Sequence, residues 1–277
     1  MAYLPKDIPS LQFYMSKILT ANLTSYDLLK AFAVITMFID HAGLYFFPDQ
    51  EWLRIIGRLS FPVWFFLIGF AQTRHIPAVL IAGALLVVIA SYVTGSGMFP
   101  LNALVSIIAI RLILDWCMTP VMEGRRSLWA MALILLLLVI PSYVVTEYGT
   151  LGLIMAIFGF LVRWKDVLKE EWMLPGFALF ALVSYVVLQQ LIFGMDVPQM
   201  LVLFGGMAIM TKILYSFKDV EYPKLSSDLP RPLMQLLQVM GRYTLEIYVV
   251  HVIAFKLAAL ALGIGGAWFT WSWLPPS

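Results

Sequence analysis

Apolar runs of about eighteen residues or more recur from residue 27 to residue 262 of this 277-residue chain. As an α-helix, each is long enough to cross a hydrocarbon layer about 30 Å thick. Inside such a layer no water pairs with backbone N–H and C=O groups. A crossing segment must therefore be a self-satisfied helix or a strand of a closed barrel. The runs lack the apolar/polar alternation of barrel strands, which leaves helices. Composition agrees: 62% of residues are hydrophobic, 12% are charged and the mean hydropathy is +0.90, against roughly 45–50% apolar and about 25% charged in soluble domains. The expected fold class is all-α, a polytopic helical membrane protein embedded in a lipid bilayer. The single cysteine, Cys117, excludes an intrachain disulfide and a cysteine metal cluster. No nucleic-acid partner is expected.

Hydropathy and turn residues set about nine spans, near 27–47, 54–73, 76–94, 99–118, 127–146, 149–164, 173–193, 197–217 and 236–262. The loops then alternate in charge. Lys6, Lys17, Arg74, Arg125, Arg126, Arg163, Lys165, Lys169, Lys218, Lys224 and Arg231 fall on one side, and Arg54 alone on the other. By the positive-inside rule the N-terminus is cytoplasmic and the C-terminus faces outward. Residues 1–26 read as an interfacial amphipathic segment, because Leu11, Tyr14, Met15, Ile18 and Leu19 share one helical face. Thr24 and Asp27 then mark a helix start. Residues 27–277 read as a single transmembrane domain, with Trp268, Trp271 and Trp273 as an outer interfacial belt.

Six Lys/Arg fall within the spans: Lys30, Arg58, Arg111, Lys212, Arg242 and Lys256. The lysines read as side chains snorkelling to headgroups. Arg111 has Asp115, and Arg242 has Glu246, one helical turn further on, where opposite charges share a face. The stretch MFIDHAGLYFF is different, because Asp40 and His41 stand in an apolar run without a turn. At about 1.5 Å rise per residue His41 lies about 20 Å into its span. Arg58 on the next helix, His251 on the last and Glu147 at an outer turn fall in the same layer. Buried ionisable groups are costly, so such a layer marks a functional site. Histidine exchanges a proton near neutral pH, and Arg58 can stabilise an oxyanion or hold an anionic donor. Neighbours on a helix point about 100° apart, so Asp40 serves either His41 or Arg58. Pro62 should kink the second span beside Arg58 and open backbone carbonyls there. Two histidines on distant helices, without a spacing motif, do not point to a metal. The residues alone admit an enzyme, or a proton-coupled carrier or channel using Asp40, His41 and Arg58 as a relay.

Residues 26 to 70, YDLLKAFAVITMFIDHAGLYFFPDQEWLRIIGRLSFPVWFFLIGF, resemble the N-terminal signature of the TraX family: a DLLK start, an MxxDH step, FFP and IGRxxFP. Asn102 and EYGTLG (147–152) match further positions of that family. GRYTLEIYVVH (241–251) is similar to the ending of the acyltransferase-3 and heparan-glucosaminide acetyltransferase enzymes. The resemblance implies an integral membrane acyltransferase of the bacterial inner membrane. Such an enzyme moves an acetyl group from cytoplasmic acetyl-CoA to an amine or hydroxyl at the outer face. In that reading His41, Asp40 and Arg58 are catalytic, and His251, Tyr248, Glu147 and Asn102 line the acceptor side. Arg74, Arg125, Arg126 and Arg163 hold the CoA phosphates, and no metal is expected. The family's type member acetylates a pilin N-terminus. YVVH departs from the YPxH-like step of the family, which leaves the acceptor open between a protein N-terminus and a glycan.

Overall fold

The computed structural model describes residues 22–97 and 99–264, and all its named elements there are helices. The expected amphipathic segment before residue 22 and the belt at Trp268, Trp271 and Trp273 lie outside the described residues. The first helix, α1 (Ser25–Phe46), begins where the sequence signals it. Thr24 Oγ1 accepts from the Asp27 backbone N–H, and the Asp27 carboxylate accepts from that of Thr24. This reciprocal cap satisfies donors that a helix start leaves open.

The second span is made of two pieces, α2 (Glu51–Gly57) and α3 (Ser60–Phe70). The fifth is likewise α6 (Arg125–Leu137) and α7 (Val139–Val145), bent by 55°. A proline occupies the third position of the second piece in both, Pro62 and Pro141. Proline has no N–H to give, and its ring clashes with the carbonyl four residues back, here those of Arg58 and Leu137. Both helices break at that carbonyl, so the expected kink beside Arg58 is present.

The remaining helices are α4 (Ala78–Val93), α5 (Ala103–Val121), α8 (Gly149–Arg163), α9 (Met173–Phe193), α10 (Val197–Tyr215), α11 (Pro223–Asp228), α12 (Arg231–Arg242) and α13 (Thr244–Ala261). Among the described residues, six helices are long and apolar enough to cross a membrane, counting α2 and α3 as one, and seven with the bent pair; α4 and α8 are shorter apolar helices. The span expected from residue 236 divides. Its first part belongs to α12, an amphipathic helix separated from α13 at Tyr243. The Leu, Met and Val of α12 resemble a span in composition, but they alternate with Arg and Gln at helical spacing. Gly241 lets α12 approach the Asp27 backbone, and Arg242 Nε lies 3.5 Å from Asp27 Oδ1.

The loops gather at two ends. At one end Leu101 and Glu147 exchange backbone hydrogen bonds across two connections, and Gln199 Nε2 donates to Glu51 Oε2 at 2.8 Å. At the other, Arg74 pairs with Asp115 at 2.9 Å, Lys169 Nζ donates to the Glu123 carbonyl, and Tyr222 N–H to that of Leu23. The described loop cations gather at this second end, with Arg54 at the first, as the charge alternation required.

Lipid is as apolar as leucine, so helix association here depends on close packing more than on water exclusion. The tightest crossing is α3 on α8. A Cβ on Gly69 would fall on the Ala156 carbonyl, and one on Gly159 on that of Phe66. Around it Phe61, Phe65, Phe66, Phe158 and Tyr185 are fully buried. This core fixes the height and rotation of Arg58 at the head of α3.

Candidate functional site

Asp40 and His41 meet different partners on opposite sides of α1. Arg54 and Arg58, four residues apart, project from one face of α2 and its end. Arg54 Nη1 lies 2.9 Å from Asp40 Oδ2, and Arg58 Nε lies 3.5 Å from Oδ1. The helices come this close because position 57 is glycine; a Cβ there would occupy the space of the Asp40 side chain. Arg58 is 7% exposed and its guanidinium stands 4.5 Å from the Phe193 ring centre. The carbonyl that Pro62 releases at Arg58 accepts from Tyr185 Oη at 2.6 Å. One residue thus carries a buried cation on its side chain and a braced carbonyl on its backbone. Beside it a pocket of about 190 Å³ is lined by Leu44, Glu51, Arg54, Arg58, Phe193 and Gln199 among others.

His41 turns toward α13 instead. Its Nδ1 lies 2.6 Å from His251 Nε2, and His251 Nδ1 lies 2.9 Å from the carbonyl of Ile247, one turn earlier. Phe38 stacks on the His251 ring at 4.4 Å, and Tyr248 lies edge-on to it at 5.8 Å. The Tyr45 and Tyr248 rings flank His41 at 6.2 and 6.3 Å. The question left open by the sequence is answered in contacts: Asp40 joins the guanidiniums, and His41 joins the second histidine.

Glu147 sits in the turn between α7 and α8, outside both helices. Its backbone is pinned on both sides: its N–H donates to the Leu101 carbonyl and its carbonyl accepts from Ser106 Oγ. The next residue, Tyr148, has φ +70°, a conformation costly for a bulky side chain, and its ring stacks on Phe61 at 4.1 Å. Burial raises the Glu147 carboxyl above the usual carboxylate range, while the fields of Lys256 and Arg58 draw it back down. Glu147 therefore stands within electrostatic reach of both sides of α1.

Several expected roles change. Asn102 spends its amide on structure: Oδ1 accepts from the Leu104 N–H, and Nδ2 donates to the Ala84 carbonyl. Arg74 is turned inward, donating to the Ile68 and Ala71 carbonyls at the end of α3 and pairing with Asp115. Asp115 therefore serves Arg74, and Arg111 reaches the His75 carbonyl at 2.6 Å. Arg125 pairs with Glu170 at 3.6 Å, Arg126 is exposed, and Arg163 lies over the Phe70 ring. Lys256 does not snorkel. It is 7% exposed, donating to Ser96 Oγ at 3.0 Å and lying 5.6 Å from the Tyr45 ring centre. Arg54, Tyr185 and Lys256 are site residues that sequence reasoning did not assign. Only Arg54 carried a signal, as the lone cation among the loops of its side.

Buried ion pairs, a histidine pair and a polar pocket within a helical membrane bundle define a polytopic membrane protein with an internal reactive centre. The model of the TraX protein family matches residues 25–225, and the chain belongs to that family. An uncharacterised protein of Rickettsia prowazekii (strain Madrid E) is 29% identical over 147 residues, covering 53% of this chain and 59% of its own length. Two proteins of Escherichia coli, both called Protein TraX, are 31% identical over 148 residues and 28% over 152. The first match covers 50% of this chain and 57% of the relative, the second 52% and 59%. The matches thus span under two thirds of the relatives' own length. No solved structure matches the chain.

Proposed function

We propose that this TraX-family protein is an acyltransferase of the bacterial inner membrane that takes acetyl from cytoplasmic acetyl-CoA and gives it to an outward-facing amine or hydroxyl. The observation that carries the reading is the His41–His251 contact inside the bundle, close to a buried guanidinium. Membership of the TraX family, and the resemblance of residues 241–251 to acyltransferase-3 enzymes, support it.

In this reaction His41 removes the proton from the acceptor N–H or O–H as the acceptor attacks the thioester carbonyl. Arg58 stabilises the tetrahedral oxyanion. The C–S bond breaks as the oxyanion collapses, and the departing thiolate takes the proton from His41. Asp40 positions Arg58 rather than acting on His41. The acceptor enters through the pocket at Phe193 and Gln199, from the end that carries Arg54. Arg125, Arg126 and Arg163, at the opposite end, are available to the CoA phosphates, whereas Arg74 holds α3. A protein N-terminus and a glycan both fit an amine or hydroxyl acceptor.

The broken helices α2–α3 and α6–α7 favour a second reading, since transporters build ion and substrate sites at such breaks. One experiment separates the two. Purified protein is incubated with labelled acetyl-CoA, wild type against His41→Ala. Transfer or hydrolysis that disappears in the variant supports the enzyme. Absence of CoA binding, together with proton-coupled flux in liposomes, overturns it in favour of a carrier.

A further inference from the structure

The contact between His41 and His251 has a definite proton arrangement. His251 Nδ1 faces the Ile247 carbonyl at 2.9 Å. A bare ring nitrogen there would set one lone pair against another, so Nδ1 carries the hydrogen. In the neutral ring Nε2 is then bare and only accepts. His41 Nδ1, 2.6 Å away, must therefore donate, and His41 Nε2 is left bare. The ring planes are inclined by only 18°, and the 4.9 Å between centroids is what the nitrogen–nitrogen contact and two ring radii add up to. The rings meet edge to edge along one line, which is hydrogen-bond geometry and not face stacking.

We infer that His251 is a positioning residue for His41, locking it in the Nδ1–H tautomer so that Nε2 is the basic end. The chain Ile247 carbonyl, His251, His41 performs the task that a carboxylate performs for histidine in many active sites: it fixes tautomer and ring orientation and supports the imidazolium once His41 gains a proton. Asp40 is excluded from that task because its oxygens are taken up by Arg54 and Arg58. Phe38, stacked on the His251 ring, holds the support in plane. His251 is a brace and not an exit for the proton, since its far nitrogen ends on a carbonyl of its own helix. The groups facing His41 are His251, Tyr248 and Lys256 from α13, Tyr45 from α1, and Arg54 and Arg58 from α2. None of the cations among them can accept the Nδ1 hydrogen, so His251 is the acceptor that sets the tautomer.

The catalytic meaning of this lock rests on the acyltransferase reading, but the tautomer itself does not. The test is nitrogen-15 NMR of histidine-labelled protein in nanodiscs at about pH 8, where an ordinary imidazole is neutral. The chain has three histidines, so His75→Gln and His251→Gln spectra assign His41. The expected wild-type signal is a protonated Nδ1 and a bare Nε2 on His41. His251→Leu should return His41 to the mixture of tautomers found in free histidine. In His251→Gln the amide oxygen can accept near the old Nε2 position and should keep the lock. A wild-type His41 protonated at Nε2, or a lock unchanged in His251→Leu, overturns the proposal. In the acetyl-CoA assay His251→Leu should lose about ten- to a hundredfold in kcat at unchanged KM, with partial rescue by His251→Gln. No transfer in wild type alongside the expected NMR signal refutes the acyltransferase reading and leaves the lock standing.

Discussion

Neutralising Asp40 without changing its shape, as in Asp40→Asn, should be among the most destabilising single changes in the bundle. The reason lies in the accounting of charge. Asp40 is the anion facing both Arg54 and Arg58, at 2.9 and 3.5 Å. Arg54 keeps 19% of its side chain exposed and can turn toward the pocket mouth, whereas Arg58 is 7% exposed and cannot. At 3.5 Å and an effective dielectric constant near 20, the Arg58–Asp40 attraction is about 4–5 kcal/mol. That agrees with the roughly 3–5 kcal/mol lost when one partner of a buried pair is removed. Unfolding of wild type and variants in lipid–detergent micelles measures the loss. The double variant Asp40→Asn with Arg58→Met should recover most of it, because no uncompensated buried cation remains. A cost for Asp40→Asn below about 1 kcal/mol, or a double variant as unstable as the two single losses added, would refute the reasoning.

Three further outcomes follow from named contacts. Gly69→Ala, which drives a methyl group onto the Ala156 carbonyl, should separate α3 from α8 and lower the unfolding temperature, while Gly205→Ala, with open space around it, should leave that temperature unchanged. Tyr185→Phe removes the donor to the Arg58 carbonyl and should cost about 1 kcal/mol or somewhat more, read from the same unfolding measurement. Glu147 is raised above the usual carboxylate range in the fold, so the fold favours its protonated form. Its contribution is complete below the ordinary carboxylate pKa and is lost as pH rises through the shifted value. Melting curves across that range should show the decline in wild type and its absence in Glu147→Gln.

Hydropathy is a local property, and the apolar segments were legible for that reason. The kink beside Arg58 was legible too, because a proline acts on the carbonyl four residues behind it. Partners were not legible. Arg111 and Asp115 share a helix face, yet Asp115 pairs with Arg74, which reaches it from the end of α3. Lys256 has the apolar neighbours of a snorkelling lysine, and only the packing of α13 on α1 turns it inward toward Ser96 and Tyr45. The start of α13 was misjudged because α12 is rich in Leu and Met, and a composition window cannot separate an amphipathic helix from the span that follows it. Asp40 and His41 were visible as anomalies. Which side each serves depends on Gly57 bringing α2 against one face of α1, and on α13 lying along the other.

That division has a mechanical corollary. The two side chains are adjacent teeth on one shaft, α1, each engaged with a different fixed part: Asp40 with the guanidiniums of α2, His41 with the imidazole of α13. A roll of α1 that withdraws one tooth withdraws the other through the same angle. A molecule that loosens the Asp40 contact from the pocket side thereby shifts His41 against its brace on the far side. The two halves of the centre are timed to each other by the stiffness of a single helix, without any group passing between them.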